Sequence, residues 1–257
     1  VAPRPRHPFL DGAPPRAFAH RGGTETAPEN TLEAFAHAVS LGVRYLETDV
    51  HLTADGGLVA FHDERLDRVT DRAGAIADLP LAEVRAAVVG DGGRVPTLDE
   101  LLEAFPGARF NIDAKHDDVV VALAQTLRRH DALDRVCVGA FSDDRLRRVR
   151  ELLGPDCCTS AGPAEVARAV AASRLPLGAP SSVPPYRCLQ VPVEHRGVAV
   201  VTPALVELAH RRDCEVHVWT IDDPAEMDRL LDLGVDGIMT DRPTALVEVL
   251  DRRGAWT

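Results

Sequence analysis

Glu47 and Asp49 stand two residues apart in the run Tyr45-Leu-Glu-Thr-Asp-Val50. Strand side chains alternate faces, so the two carboxylates point the same way. Paired carboxylates on one face repel each other and are costly to desolvate, and a cation between them relieves both penalties. Their hard oxygens suit Mg2+ or Ca2+ rather than zinc. Two further apolar runs end in His20-Arg21-Gly22 and in His62-Asp63. Arg21 can present a doubly donating fork to phosphate oxygens. His20 and His62 can move protons near neutral pH, with Asp63 placed to orient His62. A fourth run, Asn111-Ile-Asp-Ala-Lys115, sets Asn111, Asp113 and Lys115 on one face. Asp113 would complete a three-carboxylate site, and Lys115 would add positive charge against a phosphate. The plain alternative is a buried salt bridge between Asp113 and Lys115. Trp219 ends another run, either as an apolar wall for the alcohol part of a substrate or as packing. Carboxylates for a cation, an Arg for an anion and two His for proton transfer make phosphate-ester hydrolysis the first reading. Of the other His, His195 is the best outsider.

These groups need a scaffold that brings strand ends together. The chain has 257 residues, enough for one large α/β domain or two small ones. Short apolar runs alternate with helical patterns. The runs are 17–20, 45–51, 109–114, 136–141, 156–160, 188–193, 215–220 and 236–240. The helical patterns are 31–41, 97–105, 117–130, 143–153, 163–173, 203–212, 224–233 and 243–252. Thr202-Pro203, Asp223-Pro224 and Arg242-Pro243 read as polar caps before a first-turn Pro. Eight strand–helix units over roughly 240 residues predict a (β/α)8 TIM barrel. The rival is an open doubly wound sheet, which would usually carry a Gly-rich phosphate turn after its first strand, and Arg21-Gly22-Gly23 is too short for that.

The expected organisation is an extended N-terminal arm over 1–16, then a single (β/α)8 catalytic domain over 17–257. Leu58–Phe61 reads as a hairpin arm after the Asp55-Gly56-Gly57 turn. The irregular stretch 64–96 that follows leaves a strand and enters a helix. It therefore belongs on the face where such barrels do chemistry, as a small cap insertion after the second strand. The Pro/Ser-rich stretch Leu175–Arg187 belongs on the opposite face and receives no function.

Composition limits the partners. Formal charge is −11, from 40 acids against 29 bases, a poor match to nucleic acid or an anionic membrane. Any phosphate site must then be made positive locally. Lys115 is the single lysine, against 28 arginines. No apolar run approaches the roughly 20 residues of a membrane span. The five Cys are odd in number and form no C-x-x-C pair, so reduced thiols and a cytoplasmic location are expected. The first residue is not Met, so a trimmed start and export stay open.

Taken together, the motifs resemble the glycerophosphodiester phosphodiesterase family. The matching residues are Ala19-His-Arg-Gly22, Pro28-Glu-Asn-Thr31 with Ala34-Phe35, Glu47-Thr-Asp49-Val50, Phe61-His-Asp63, Val95-Pro-Thr-Leu98, Asn111-Ile-Asp-Ala-Lys115, Val218-Trp-Thr220 and Gly234-Val-Asp-Gly-Ile-Met-Thr-Asp-Arg-Pro243. They run in family order over about 17–250. The resemblance implies a (β/α)8 barrel that hydrolyses a small-molecule glycerophosphodiester to glycerol 3-phosphate and an alcohol. It gives His20 and His62 the acid and base roles. It gives one divalent cation, Mg2+ or Ca2+, to Glu47, Asp49 and Asp113, and it gives the phosphate to Arg21 and Lys115. Two positions depart from the family pattern. Asp113 stands where Glu is usual, one carbon shorter, and Arg68-Val69-Thr70 stands for Arg-Thr-Thr.

Other readings remain. A lysophospholipid phosphodiesterase of the phospholipase D type would need an apolar groove for its acyl chain. A non-catalytic phosphodiester-binding protein would bind without releasing product. A metal-dependent amidohydrolase is disfavoured, because no His-x-His ends the first strand. The alcohol, the metal, water attack versus a cyclic phosphate, and the oligomeric state are open at this level.

Overall fold

The computed structural model describes residues 6–175 and 183–256. Residues 1–5 of the expected arm, 176–182 of the Pro/Ser-rich stretch and residue 257 lie outside them. Eight parallel strands form a barrel: β1 (Arg16–Ala19), β2 (Tyr45–Leu52), β3 (Arg109–Ala114), β4 (Val136–Gly139), β5 (Cys158–Thr159), β6 (Cys188–Val191), β7 (Glu215–Val218) and β8 (Gly237–Thr240). Neighbours run β5-β4-β3-β2-β1-β8-β7-β6. A single parallel bridge, Ser160 to Cys188, joins β5 to β6 and closes the ring. Helices follow the strands as α1 (Leu32–Ser40), α2 (Leu98–Ala104), α3 (Val119–Arg129), α4 (Asp143–Leu153), α5 (Pro163–Ser173), α6 (Pro203–His210), α7 (Pro224–Asp232) and α8 (Pro243–Arg252). This is the α/β TIM-type architecture that the alternation predicts. β1 and β3 match their apolar runs in length, β2 is one residue longer, and the other five strands are one to three residues shorter.

Local chemistry explains the helix starts. Thr97 Oγ1 accepts from the Glu100 N–H (3.1 Å) and Glu100 Oε2 accepts from the Thr97 N–H (2.9 Å), closing a capping box. Thr202 and Asp223 cap α6 and α7 ahead of a first-turn Pro. Arg242 does not cap α8 with its side chain, a correction to the sequence expectation. A guanidinium has no acceptor for a helix N–H, and Pro243 alone presets the turn.

The main core lies between barrel and helices, where β-strand faces such as Leu46, Val50, Ile112 and Val138 meet Leu101, Leu123 and Leu246. A second cluster fills the lower barrel: Phe9, Leu10, Phe18, Tyr45, Met239 and three buried Cys. All five Cys are free and buried. The described part of the arm packs into the second cluster as a plug. Phe9 sits edge-on to Tyr45 (5.3 Å between ring centroids), and Arg16 donates to Tyr45 Oη (2.6 Å) and to Glu215 (2.7 and 2.8 Å).

Leu58–Ala60 pairs antiparallel with β2, so the chain folds back on the strand that carries Glu47 and Asp49. The insertion after it has its own small core, Val59, Phe61, Leu66, Ile76, Val84 and Val89. It holds a short helix, Leu81–Arg85, and a ribbon of Val88–Val89 against Gly93–Arg94. No helix among the described residues is long and apolar enough to cross a membrane.

Candidate active site

The expected groups meet at the C-terminal end of the barrel. Glu47 and Asp49 face inward from β2, and register places Asp113 of β3 beside Asp49. All three carboxylates are buried. Burial, then the Asp49 charge, pushes Glu47 up to about 7. Lys115 Nζ lies 2.6 Å from Asp49 Oδ1 and 2.8 Å from Asp113 Oδ2. Burial alone would lower its ammonium, but the Asp113 and Asp49 charges outweigh burial and raise it. The salt bridge between Asp113 and Lys115 is therefore present, with Asp49 as a third member.

His20 and Arg21 form a tight turn beyond β1. Arg21 is in the left-handed region (φ 53°). That conformation lets its N–H donate to Glu47 Oε2 (3.0 Å) while its carbonyl accepts from Asn30 N–H (2.8 Å). The two glycines that follow are required by space. A Cβ on Gly22 would stand 2.9 Å from Phe35 N, and one on Gly23 would stand 2.6 Å from Pro243 Cδ. The Arg21 guanidinium donates to Glu29 Oε1 (3.1 Å), and its Nε lies 3.6 Å from Asp49 Oδ2.

The two imidazoles are held alike. His20 Nδ1 donates to Asp241 Oδ1 (2.7 Å), leaving Nε2 3.8 Å from Glu47 Oε2. Burial lowers the His20 pKa, but the Glu47 charge and the Asp241 hydrogen bond outweigh it and leave it raised. His62, carried on the return arm, donates from Nδ1 to Asp63 Oδ1 (2.6 Å). Hydrogen bonds from Arg68 hold Asp63 down at about 2. Beside His62 a cleft of about 500 Å³ opens, lined also by His51, Arg68, Lys115 and His116.

Trp219 is half-buried beyond β7, and Phe141, 70% exposed beyond β4, meets it edge-on (5.9 Å). His195 lies exposed on a ribbon with Val198–Ala199. Glu29, Asp241 and Arg68 entered the sequence reasoning only as members of motifs, with no role of their own, and Phe141 was not singled out. Asp241 had a usable signal, since it directly follows the eighth apolar run. Nothing in the spacing of Glu29 or Arg68 marks them.

Three hard carboxylates share the pocket, and Asp49 Oδ2 is buried without a hydrogen bond. In kind these residues suit a divalent cation. They are not drawn around one point: among the described residues no three His, Cys, Asp or Glu are arranged to hold a metal. The Lys115 ammonium fills the space between two of them instead.

A family model described as the glycerophosphoryl diester phosphodiesterase family matches residues 20–245. The chain belongs to that family. As a member it is a phosphoric diester hydrolase. A protein of Mycobacterium tuberculosis named "probable glycerophosphodiester phosphodiesterase 2" is 41% identical over 245 residues, covering 93% of this chain and 92% of that one. The crystal structure of a protein from Silicibacter pomeroyi described as "putative glycerophosphoryl diester phosphodiesterase" superposes with a TM-score of 0.81 at 27% identity, covering 98% and 99% of the two chains. A phosphodiesterase of Oleispira antarctica, solved with the product sn-glycerol 3-phosphate, aligns with a TM-score of 0.77 at 25% identity over 93% and 97% of the chains. The barrel is thus the family's scaffold.

Proposed function

We propose that the protein hydrolyses glycerophosphodiesters to glycerol 3-phosphate and an alcohol, with His20 and His62 as the proton-transfer pair. One observation carries the reading. Two imidazoles, each pinned through Nδ1 by a carboxylate at 2.7 and 2.6 Å, are carried beyond β1 and beyond the arm paired with β2, next to a buried patch of acids that also holds Arg21 and Lys115. With Nδ1 engaged, each Nε2 is left to accept or give a proton.

Arg21 and Lys115 supply the fixed positive charge for the phosphate oxygens, where charge builds during attack. One imidazole takes the proton from the attacking hydroxyl, of water or of the substrate's own glycerol. The other delivers a proton to the departing alcohol oxygen. Burial of Glu47, Asp49 and Asp113 keeps bulk water from screening these charges. Glu47, Asp49 and Asp113 would hold a divalent cation, Mg2+ or Ca2+. When bound, such an ion supplies Lewis-acid charge that the two basic side chains alone do not.

The test is release of glycerol 3-phosphate from a panel of glycerophosphodiesters, with chelator and with Mg2+, Ca2+ or Mn2+ restored. Release that falls with chelator and returns with metal is expected. H20A and H62A should each lower kcat by about two to four orders of magnitude. Full activity in either variant, or binding without release, overturns the reading. The Phe141–Trp219 pair favours one second reading, a lysophospholipid substrate whose acyl chain lies on that exposed shelf. Turnover of a lysolipid above that of glycerophosphocholine would support it.

A further inference from the structure

The cap insertion sends Arg68 toward the site from the end of the turn Leu66–Arg68. Its guanidinium meets two carboxylates at once. Nε and Nη2 donate to Asp63 Oδ2 and Oδ1 (2.6 and 3.1 Å). Nη1 and Nη2 donate to Glu29 Oε2 and Oε1 (3.2 and 2.7 Å). Each carboxylate has a second partner. Asp63 Oδ1 accepts from His62 (2.6 Å), and Glu29 Oε1 accepts from Arg21 (3.1 Å). An unbroken chain therefore runs His62–Asp63–Arg68–Glu29–Arg21.

Nearly half of the Arg68 side chain, 47%, is exposed. Ion pairs this open contribute little to folding. Their geometry is another matter, because a planar fork that engages two carboxylates side-on fixes both orientations. Without the guanidinium, the Asp63 and Glu29 charges would repel across open space and both side chains could rotate. His62 and Arg21 come from different strand ends, and Arg68 is the link between their supports.

We infer that Arg68 is a positioning residue that braces His62 and Arg21 together, so that the cap sets the proton donor or acceptor and the phosphate-binding fork in one geometry. The inference rests on the parts given to His62 and Arg21 in the proposed function. A misplacement of about 1 Å at such groups can cost on the order of 10²-fold in rate.

The experiment measures kcat, KM and Tm for glycerophosphocholine hydrolysis by the full chain and by R68A, R68K, D63N and E29Q. D63N should act mainly on kcat and E29Q mainly on KM. R68A should do both, lowering kcat by about 10- to 100-fold and raising KM several-fold, with Tm within roughly 2 °C of the native value. R68K keeps the charge without the fork and should recover only part of the loss. In a D63N background R68A should lower kcat no further, and in an E29Q background it should raise KM no further. Native kinetics in R68A, or losses that simply add to those of D63N and E29Q, overturn the inference alone. Should R68A fail to fold, native kinetics in R68K overturn it. If the native protein releases nothing from any diester, the proposed function falls and the inference with it.

Discussion

His20 and His62 are fixed in the same manner by carboxylates of different origin. Asp63 is the next residue in the chain, whereas Asp241 lies 221 residues away and meets His20 only because β1 and β8 are neighbours. Asp241 is itself held. Asp222 Oδ1 accepts from the Asp241 N–H and from Thr240 Oγ1 (2.8 Å each). A carboxylate placed this way sets the tautomer of its imidazole and steadies the charged form. D241N would offer an amide that cannot stabilise the imidazolium. It should lower kcat by about 10²- to 10⁴-fold, with a smaller change in KM. Steady-state kinetics beside the native protein check this, and an unchanged kcat would remove Asp241 from the proton relay.

At the scale of elements, β1 and β7 are locked across β8 through the barrel interior. Arg16 in β1 donates to Glu215 in β7, and Glu215 also accepts from Arg6 (2.7 Å) and from His217 Nε2 (3.0 Å). Gly237 of β8 lies in register with both Arg16 and His217. A Cβ there would come within 2.8 Å of Phe18 and 2.9 Å of His217. Burial raises the Glu215 pKa, but its hydrogen bonds from Arg16 and His217 outweigh burial and hold it well below the carboxylate range. The sign follows from that direction. A lowered folded-state pKa gives stability that is fully present above the unfolded value of 4.5 and is lost as pH falls through the folded one. E215Q leaves Arg16 buried without its charge partner and should cost about 3 to 5 kcal/mol at pH 7. The gap to the native protein should narrow as pH drops below about 4. Denaturant melts at pH 7 and pH 3.5 check it, and an equal gap at both would show that the ion pair is not the source.

For the whole molecule, the described N-terminal segment acts as the floor of the barrel. Phe9 is fully buried against Tyr45, and F9A should destabilise by about 3 to 5 kcal/mol. Because the plug lies at the opposite end from the site, KM and kcat of the folded fraction should stay native. Thermal melts with matched kinetics check both halves of that statement. Much of the architecture was legible from the chain alone. The alternation of apolar runs with capped 3.6-period patterns is local physics, and it placed all eight strand–helix units and the insertion after the second strand. The positions of His20, Arg21, Glu47, Asp49, His62, Asp113 and Lys115 on the strands or just beyond them were legible for the same reason. What a neighbour supplies was not. Asp241 on His20, Glu29 and Arg68 between Arg21 and Asp63, Phe141 on Trp219 and Phe9 on Tyr45 all depend on closure of the ring and on the cap folding back. The pairing of Lys115 with both Asp49 and Asp113 was decided there too, since β2–β3 register sets which acid the ammonium reaches. Periodicity is written residue by residue, whereas contacts between distant residues exist only once burial has fixed the register.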